Sequence, residues 1–228
     1  MGYVILGLIL FALLTQLPGW WTQYLLRKYN TPLAKLPGGG GDFAAWLLRQ
    51  HNLQAIPVYP TDGPDHYDPI QRCIRLNKAH YDTPSLTALA VAAHEVGHAL
   101  QHAEGDPDFL ERLSLIQRAA WLQTFSAGAL LLTPILIPLL HTPVIGLITF
   151  TAGFIAQGVP LLIHLKTLPV ERDASFNRAL PMLAACGRFT DQELRIMRRI
   201  LQAAALTYVA QALSSLFNLW RWISPHRR

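Results

Sequence analysis

The sequence is poor in charge. Asp, Glu, Lys and Arg make up 14% of its 228 residues, where a water-soluble domain carries about 25%. From Trp121 to Leu165 no side chain is charged at all. That absence argues against an ordinary soluble globule and points to segments placed in lipid. Cysteine is equally scarce. Cys73 and Cys186 are too few for a disulfide framework and lack the paired spacing of a zinc knuckle, so each reads as a small buried apolar side chain. The net charge is +5, yet no compact Lys/Arg cluster interleaves with aromatics, so nucleic acid is not expected as a partner. A positive start and a small-residue cleavage site are also lacking before the first apolar run, which reads as an uncleaved anchor and not a signal peptide.

A membrane-spanning helix needs about 20 mostly apolar residues, and four stretches qualify for consideration. The first begins at Tyr3 in YVILGLILFALLTQLPGWWTQYLL, with Pro18 and Gly19 as a bend and Trp20, Trp21 and Tyr24 suited to a membrane interface. The second covers Trp121 to Leu140 and the third Val144 to Leu165. Only His141 to Pro143 separates them, which predicts a tight helical hairpin kinked by Pro134, Pro138 and Pro160. The fourth, Ala203 to Ile223, carries Gln211, Ser214, Ser215 and Asn218, and either spans or lies along the interface. Lys and Arg concentrate between the first and second stretches and after the third, whereas the N-terminus and the His141–Pro143 turn have none. The positive-inside rule then places both basic regions in the cytoplasm of a multi-pass cell-membrane protein. Arg221, Arg227 and Arg228 conflict with a crossing by the fourth stretch.

Between the anchors, LPGGGGD (Leu36 to Asp42) reads as a flexible joint, with Asp42 capping the helix FAAWLLRQHN. IPVY and RCIRL read as a β-hairpin joined by TDGPD. A long helix follows, starting near Thr83 and Pro84 and stopped by Gly105. Its uninterrupted apolar run, Ala88 to Ala93, is far too short to cross a bilayer, so it reads as the buried core of a soluble region.

That helix carries AHEVGHALQH. His94 and His98 lie one turn apart on one face, where two imidazoles can grip one metal ion. Glu95, rotated about 100° from His94, can reach a water on that metal without being a ligand. This is the H-E-x-x-H arrangement of zinc proteases. Scattered surface histidines are the competing explanation, and Val91, Ala92, Ala93, Val96, Ala99 and Leu100 make it a poor one: the helix is apolar nearly all round. His102 continues the four-residue spacing but stands about 12 Å from His94 along the axis. No glycine breaks the helix between His98 and His102, so His102 reads as an end cap or an outer contact. The third ligand is expected on another element. Glu104, Asp106, Asp108 and Glu111 are near in sequence but read as solvent-facing. Glu171, in TLPVERDASFNRAL after the third apolar stretch, is the stronger candidate. Pro169 there marks a helix start, with Asp173, Ser175 and Asn177 as polar neighbours able to orient the histidines.

DHYDP (Asp65 to Pro69), AVAAHEVGHALQH (Ala90 to His102), LPVERDAS (Leu168 to Ser175) and ALTYVAQAL (Ala205 to Leu213) together resemble the neutral zinc metallopeptidases of bacterial membranes, the YugP-like family. The resemblance covers nearly the whole chain in the same order. It implies a multi-pass membrane protein with a cytoplasmic zinc peptidase domain, distantly similar to the gluzincin membrane proteases of the HtpX type, in which two membrane segments also separate H-E-x-x-H from a glutamate ligand. In that wider class an aspartate four residues after the glutamate orients a histidine. Here the position is Ser175, so Ser175 or Asp173 must serve, or the surroundings differ.

The expected fold is mainly α, a multi-pass membrane protein with a zincin-like α+β region in which the H-E-x-x-H helix packs with a small β-hairpin. Its parts are an anchor (1–26), the zincin-like region (27–120), a transmembrane hairpin (121–165), a helical region carrying the third ligand (166–202) and a C-terminal helix (203–228). The expected chemistry is peptide hydrolysis with one zinc ion on His94, His98 and Glu171 and with Glu95 as general base. His66 and Tyr67 are candidates for the oxyanion or substrate contact, and Asp173, Ser175 and His102 for outer contacts. Partners are a peptide or protein substrate, membrane proteins among them, and the lipid bilayer. A catalytically weak metal-binding scaffold is the alternative.

Overall fold

The computed structural model describes residues 2–36, 38–140 and 142–223. His141 of the expected interhelical turn, Pro37 of the glycine-rich joint, and Arg227 and Arg228 lie outside the described residues.

Helix α1 (Gly2–Lys28) runs on through Pro18 and Gly19, and Thr22 Oγ1 donates to the Pro18 carbonyl at 2.8 Å. Helix α2 (Gly40–Gln50) starts earlier than the sequence suggested. Gly39 is its cap and Asp42 lies within its first turn. The glycine run is not a loose joint either. A Cβ on Gly39 would collide with the Tyr81 carbonyl, one on Gly40 would sit 2.6 Å from the His80 carbonyl, and one on Gly41 would sit 2.6 Å from the Tyr81 ring. The glycines are there because neighbouring chain passes too close for side chains.

The sheet also differs from the expected hairpin. Strand β1 (Val58–Thr61) pairs with β3 (Cys73–Asn77) in parallel, while β2 (His66–Asp68) pairs with β3 antiparallel, giving the order β1-β3-β2. The hairpin is therefore β2–β3. Asp68 Oδ1 accepts from the backbone N–H groups of Ile70 and Gln71, both at 2.9 Å, and turns the chain there. Asp65 ties the other end, accepting from Asn77 N at 2.8 Å and meeting His80 Nδ1 at 2.8 Å. Short helix α3 (Lys78–Tyr81) follows.

Helix α4 (Leu86–Glu104) is the centre of the core. Ala88, Ala90, Ala92, Ala93, Val96 and Ala99 have no exposed surface, and their small side chains let other elements close in from several sides. Its cap is Ser85, not Thr83: the Ser85 hydroxyl accepts from Ala88 N at 3.0 Å and donates to Asn30 Oδ1 at 2.6 Å. Gly105, with φ of 69°, ends it as the sequence predicts.

Helix α5 (Pro107–Leu140) begins well before its apolar stretch. Helix α6 (Pro143–Arg172) carries the third apolar stretch and contains Pro160 and Pro169. Pro169 is thus inside a helix and does not start one. Its missing N–H forfeits one backbone bond, and the helix continues to Glu171. A π-helical segment (Asp173–Ala179) and α7 (Leu180–Ala185) follow, then α8 (Asp191–Ile223). Among the described residues, three stretches are long and apolar enough to cross a membrane: Pro107–Leu136, Val144–Ala185 and Asp191–Trp220. Only 11%, 18% and 28% of their apolar windows are buried, so most of this surface faces outward. Such surface is unfavourable in water and at home in lipid. α6 packs against α5 and α8, and α8 against α1.

Candidate metal centre

Two elements far apart in sequence make the site. α4 presents His94 and His98 one turn apart, with ring centroids 4.7 Å apart and the rings nearly perpendicular. The last turn of α6 brings Glu171, whose Oε2 lies 3.1 Å from His94 Nε2 and 3.4 Å from His98 Nε2. One ligand atom from each of the three residues falls within 4.8 Å of the others. Ligands about 2.0–2.1 Å from a tetrahedral zinc stand about 3.3–3.4 Å from one another. Two imidazole nitrogens and a carboxylate oxygen are also zinc's preferred donors. The residues fit the ion.

The approach of Glu171 depends on Gly97. A Cβ there would lie 2.8 Å from the Ala174 carbonyl oxygen, so the π-helical segment sits on α4 only because residue 97 has no side chain. Such wide turns are uncommon and tend to mark functional sites.

Hydrogen bonding sets how the histidines face the centre. Gln101 is fully buried. Its Nε2 donates to the Val170 carbonyl and to Asp173 Oδ2, both at 2.9 Å. With its amide nitrogen so engaged, Gln101 Oε1 accepts from His98 Nδ1 at 2.9 Å, which places the proton on Nδ1 and leaves Nε2 free to bind metal. Ser175 Oγ meets His94 Nδ1 at 3.0 Å and leaves His94 Nε2 toward Glu171. Asp173 is held in turn by Arg178 Nε at 2.6 Å and Asn177 Nδ2 at 2.9 Å. Ser175 thus touches His94 directly, and Asp173 reaches His98 through Gln101. Sequence reasoning missed Gln101, although its place one turn after His98 on an apolar helix was a usable signal.

Glu95 is buried beside the centre. Burial pushes its carboxyl up to about 7, the nearby Glu171 adds to the rise, and His94 opposes it together with a hydrogen bond from the Tyr67 backbone N–H. His102 stands outside the ligand group. Its Nδ1 meets the Tyr67 hydroxyl at 2.9 Å, and burial, then Arg72, lowers its pKa. His66 Nδ1 donates to the Pro64 carbonyl at 2.9 Å. Glu104 pairs with Arg178 and Glu111 with Lys166 at the surface, away from the ligands.

A cavity of about 360 Å³ opens over His94, Glu95, His98 and Glu171. His66 and Tyr67 of β2 and the first turns of α5 line it. Two residues that the sequence did not single out belong to it. Arg112 of α5 places Nη1 3.4 Å from Glu171 Oε1, and Tyr208 of α8 stands against the same carboxylate. Tyr208 falls inside the ALTYVAQAL motif, which was the signal available for it.

Residues 3–227 match the model of a family described as "Putative neutral zinc metallopeptidase". The chain is also 36% identical over 212 residues to "Putative membrane protease YugP" of Bacillus subtilis (strain 168), an alignment that covers 89% of each protein. No solved structure matches it. The match over nearly the full length agrees with the three apolar helices and the two-histidine, one-glutamate centre: the chain belongs to the putative neutral zinc metallopeptidase family.

Proposed function

We propose that this protein is a membrane-bound zinc endopeptidase of the gluzincin type, with His94, His98 and Glu171 as the metal ligands and Glu95 as the general base. The observation that carries the proposal is the convergence of three ligand atoms within 4.8 Å beside the buried carboxyl of Glu95. A purely structural metal site needs no such base. The relative's description as a membrane protease supports the same reading.

Zinc held there supplies Lewis acidity, polarising the scissile carbonyl and lowering the pKa of water to about 7. Glu95 takes the proton of the attacking water and passes it to the leaving amine nitrogen. Gln101 and Ser175 keep the two imidazole Nε2 atoms turned toward the centre throughout. The oxyanion needs a donor. Tyr67 lines the cavity with its hydroxyl against His102, and His66 offers Nε2 as a donor only when its ring is protonated, because Nδ1 already serves Pro64. Tyr208, on the cavity wall against Glu171, joins them as a candidate. The zincin-like region between the first and second apolar stretches faces the cytoplasm on this reading, following the distribution of Lys and Arg.

The test compares zinc-loaded wild type with Glu95→Gln in detergent, on casein and on unstructured peptides. Glu95→Gln keeps zinc and loses activity by about 10²–10⁴-fold. A zinc-bound wild type that cleaves no better than Glu95→Gln on every substrate leaves the metal-binding scaffold as the better reading.

A further inference from the structure

We propose that Arg112 is a substrate-binding residue whose guanidinium takes an acceptor oxygen of a peptide lying between α5 and β2. The acceptor is a backbone carbonyl or the chain's terminal carboxylate. The inference rests on the peptidase reading and extends it.

Phe109, Arg112, Leu113 and Ile116 follow the i, i+3, i+4, i+7 pattern of one helix face, and all four line the cavity. The first turns of α5, before its apolar stretch, are therefore a cavity wall. Among the described residues lining the cavity, Arg112 is the one Arg or Lys. Its contact with Glu171 Oε1, at 3.4 Å, is long beside the about 2.7–2.9 Å of a firm charge-assisted bond. Its Nε is buried and has no hydrogen-bond partner among the described residues. A guanidinium has five donors in a fixed fork, and a buried donor without a partner is costly. The Arg112 side chain is 23% exposed, so the outer N–H groups of the same fork are open to an oxygen entering the cavity.

Position decides which oxygen. The guanidinium contacts Glu171, a proposed metal ligand, so it stands close to where the reacting carbonyl would sit. It therefore meets the residue next to the scissile bond. Leu113 and Ile116 beside it, with the exposed Ile70 across the mouth, offer an apolar surface for that residue's side chain. The substrate class is a peptide with a bulky apolar residue beside the cleaved bond.

The test uses zinc-loaded Glu95→Gln protein in detergent as a non-cleaving host, and a fluorescent apolar hexapeptide blocked at its N-terminus. Binding is read by anisotropy for the free-acid and C-terminal amide forms, and zinc content is measured on the same samples. Arg112→Gln on this background keeps its zinc and weakens peptide binding tenfold or more, and Arg112→Lys falls between. Weakening of both peptide forms identifies a backbone carbonyl, and weakening of the acid alone identifies the terminal carboxylate. Unchanged binding, beside normal cleavage by wild type, overturns the role of Arg112 alone. Zinc loss in both Arg112 variants also overturns it, because Arg112 then acts by holding Glu171. If wild type cleaves nothing and Glu95→Gln binds no peptide, the peptidase reading falls and this inference with it.

Discussion

Burial raises the Glu95 carboxyl from an ordinary 4.5 to about 7, with His94 opposing and Glu171 reinforcing the shift. A folded-state pKa above the unfolded one means that the folded chain holds the proton more tightly. The metal-free protein therefore loses stability as pH rises from about 4.5 to about 7, by about 3 kcal/mol in all. Glu95→Gln removes this loss, so metal-free Glu95→Gln unfolds several degrees above metal-free wild type at pH 8 and close to it at pH 4.5. Thermal unfolding in detergent at the two pH values checks this, and a lower midpoint for the variant at pH 8 contradicts it. Gln101 gives a second test. Gln101→Leu leaves the His98 Nδ1 proton without its acceptor and takes one donor each from the Val170 carbonyl and Asp173; it weakens zinc binding about 10–100-fold, read by competition with a chelator. Gln101→Glu keeps the acceptor for His98 but turns an oxygen toward the Val170 carbonyl and Asp173 Oδ2, so it weakens zinc binding as well. The H-E-x-x-H residues were legible in the sequence because one helix fixes their geometry. Gln101 was not, because its role appears only when Val170 and Asp173 arrive from α6 and the π-helical segment.

The contact of α4 with the π-helical segment is the joint on which Glu171, the proposed third ligand, rests. Gly97→Ala puts a Cβ 2.8 Å from the Ala174 carbonyl oxygen, and backbone cannot yield as a side chain does. The substitution destabilises by about 1–3 kcal/mol and moves Glu171 and Ser175 away from the histidines. Zinc affinity should fall even though no ligand is changed. A Gly97→Ala protein with wild-type zinc affinity would show the segment free to retreat. A glycine inside an otherwise apolar helix was the signal available for this close approach. The course of the chain at Pro169 was not readable, since a proline at a helix start and one inside a continuing helix look alike without the packing around them. The sheet misled for a similar reason. β2 has three residues, below the length at which alternation is visible, and without it β1 and β3 read as hairpin partners when they are in fact parallel.

In the whole molecule, His94 and Glu171 are 77 residues apart, and the chain between them is largely α5 and α6, the two helices that carry the apolar stretches. The hairpin they form returns Glu171 to α4, while Arg112 on α5 and Tyr208 on α8 stand around the same carboxylate. The apolar bundle therefore also completes the candidate metal centre. The general plan of apolar segments was visible as an absence of charge, whereas the closure of the site by three of those helices needed tertiary structure. The most direct test is the zinc content of the purified full-length protein and of its Glu171→Ala and His102→Ala variants, measured by atomic emission. The account predicts about one ion per chain in wild type and in His102→Ala, and little or none in Glu171→Ala. Zinc retained by Glu171→Ala and lost from His102→Ala would contradict it.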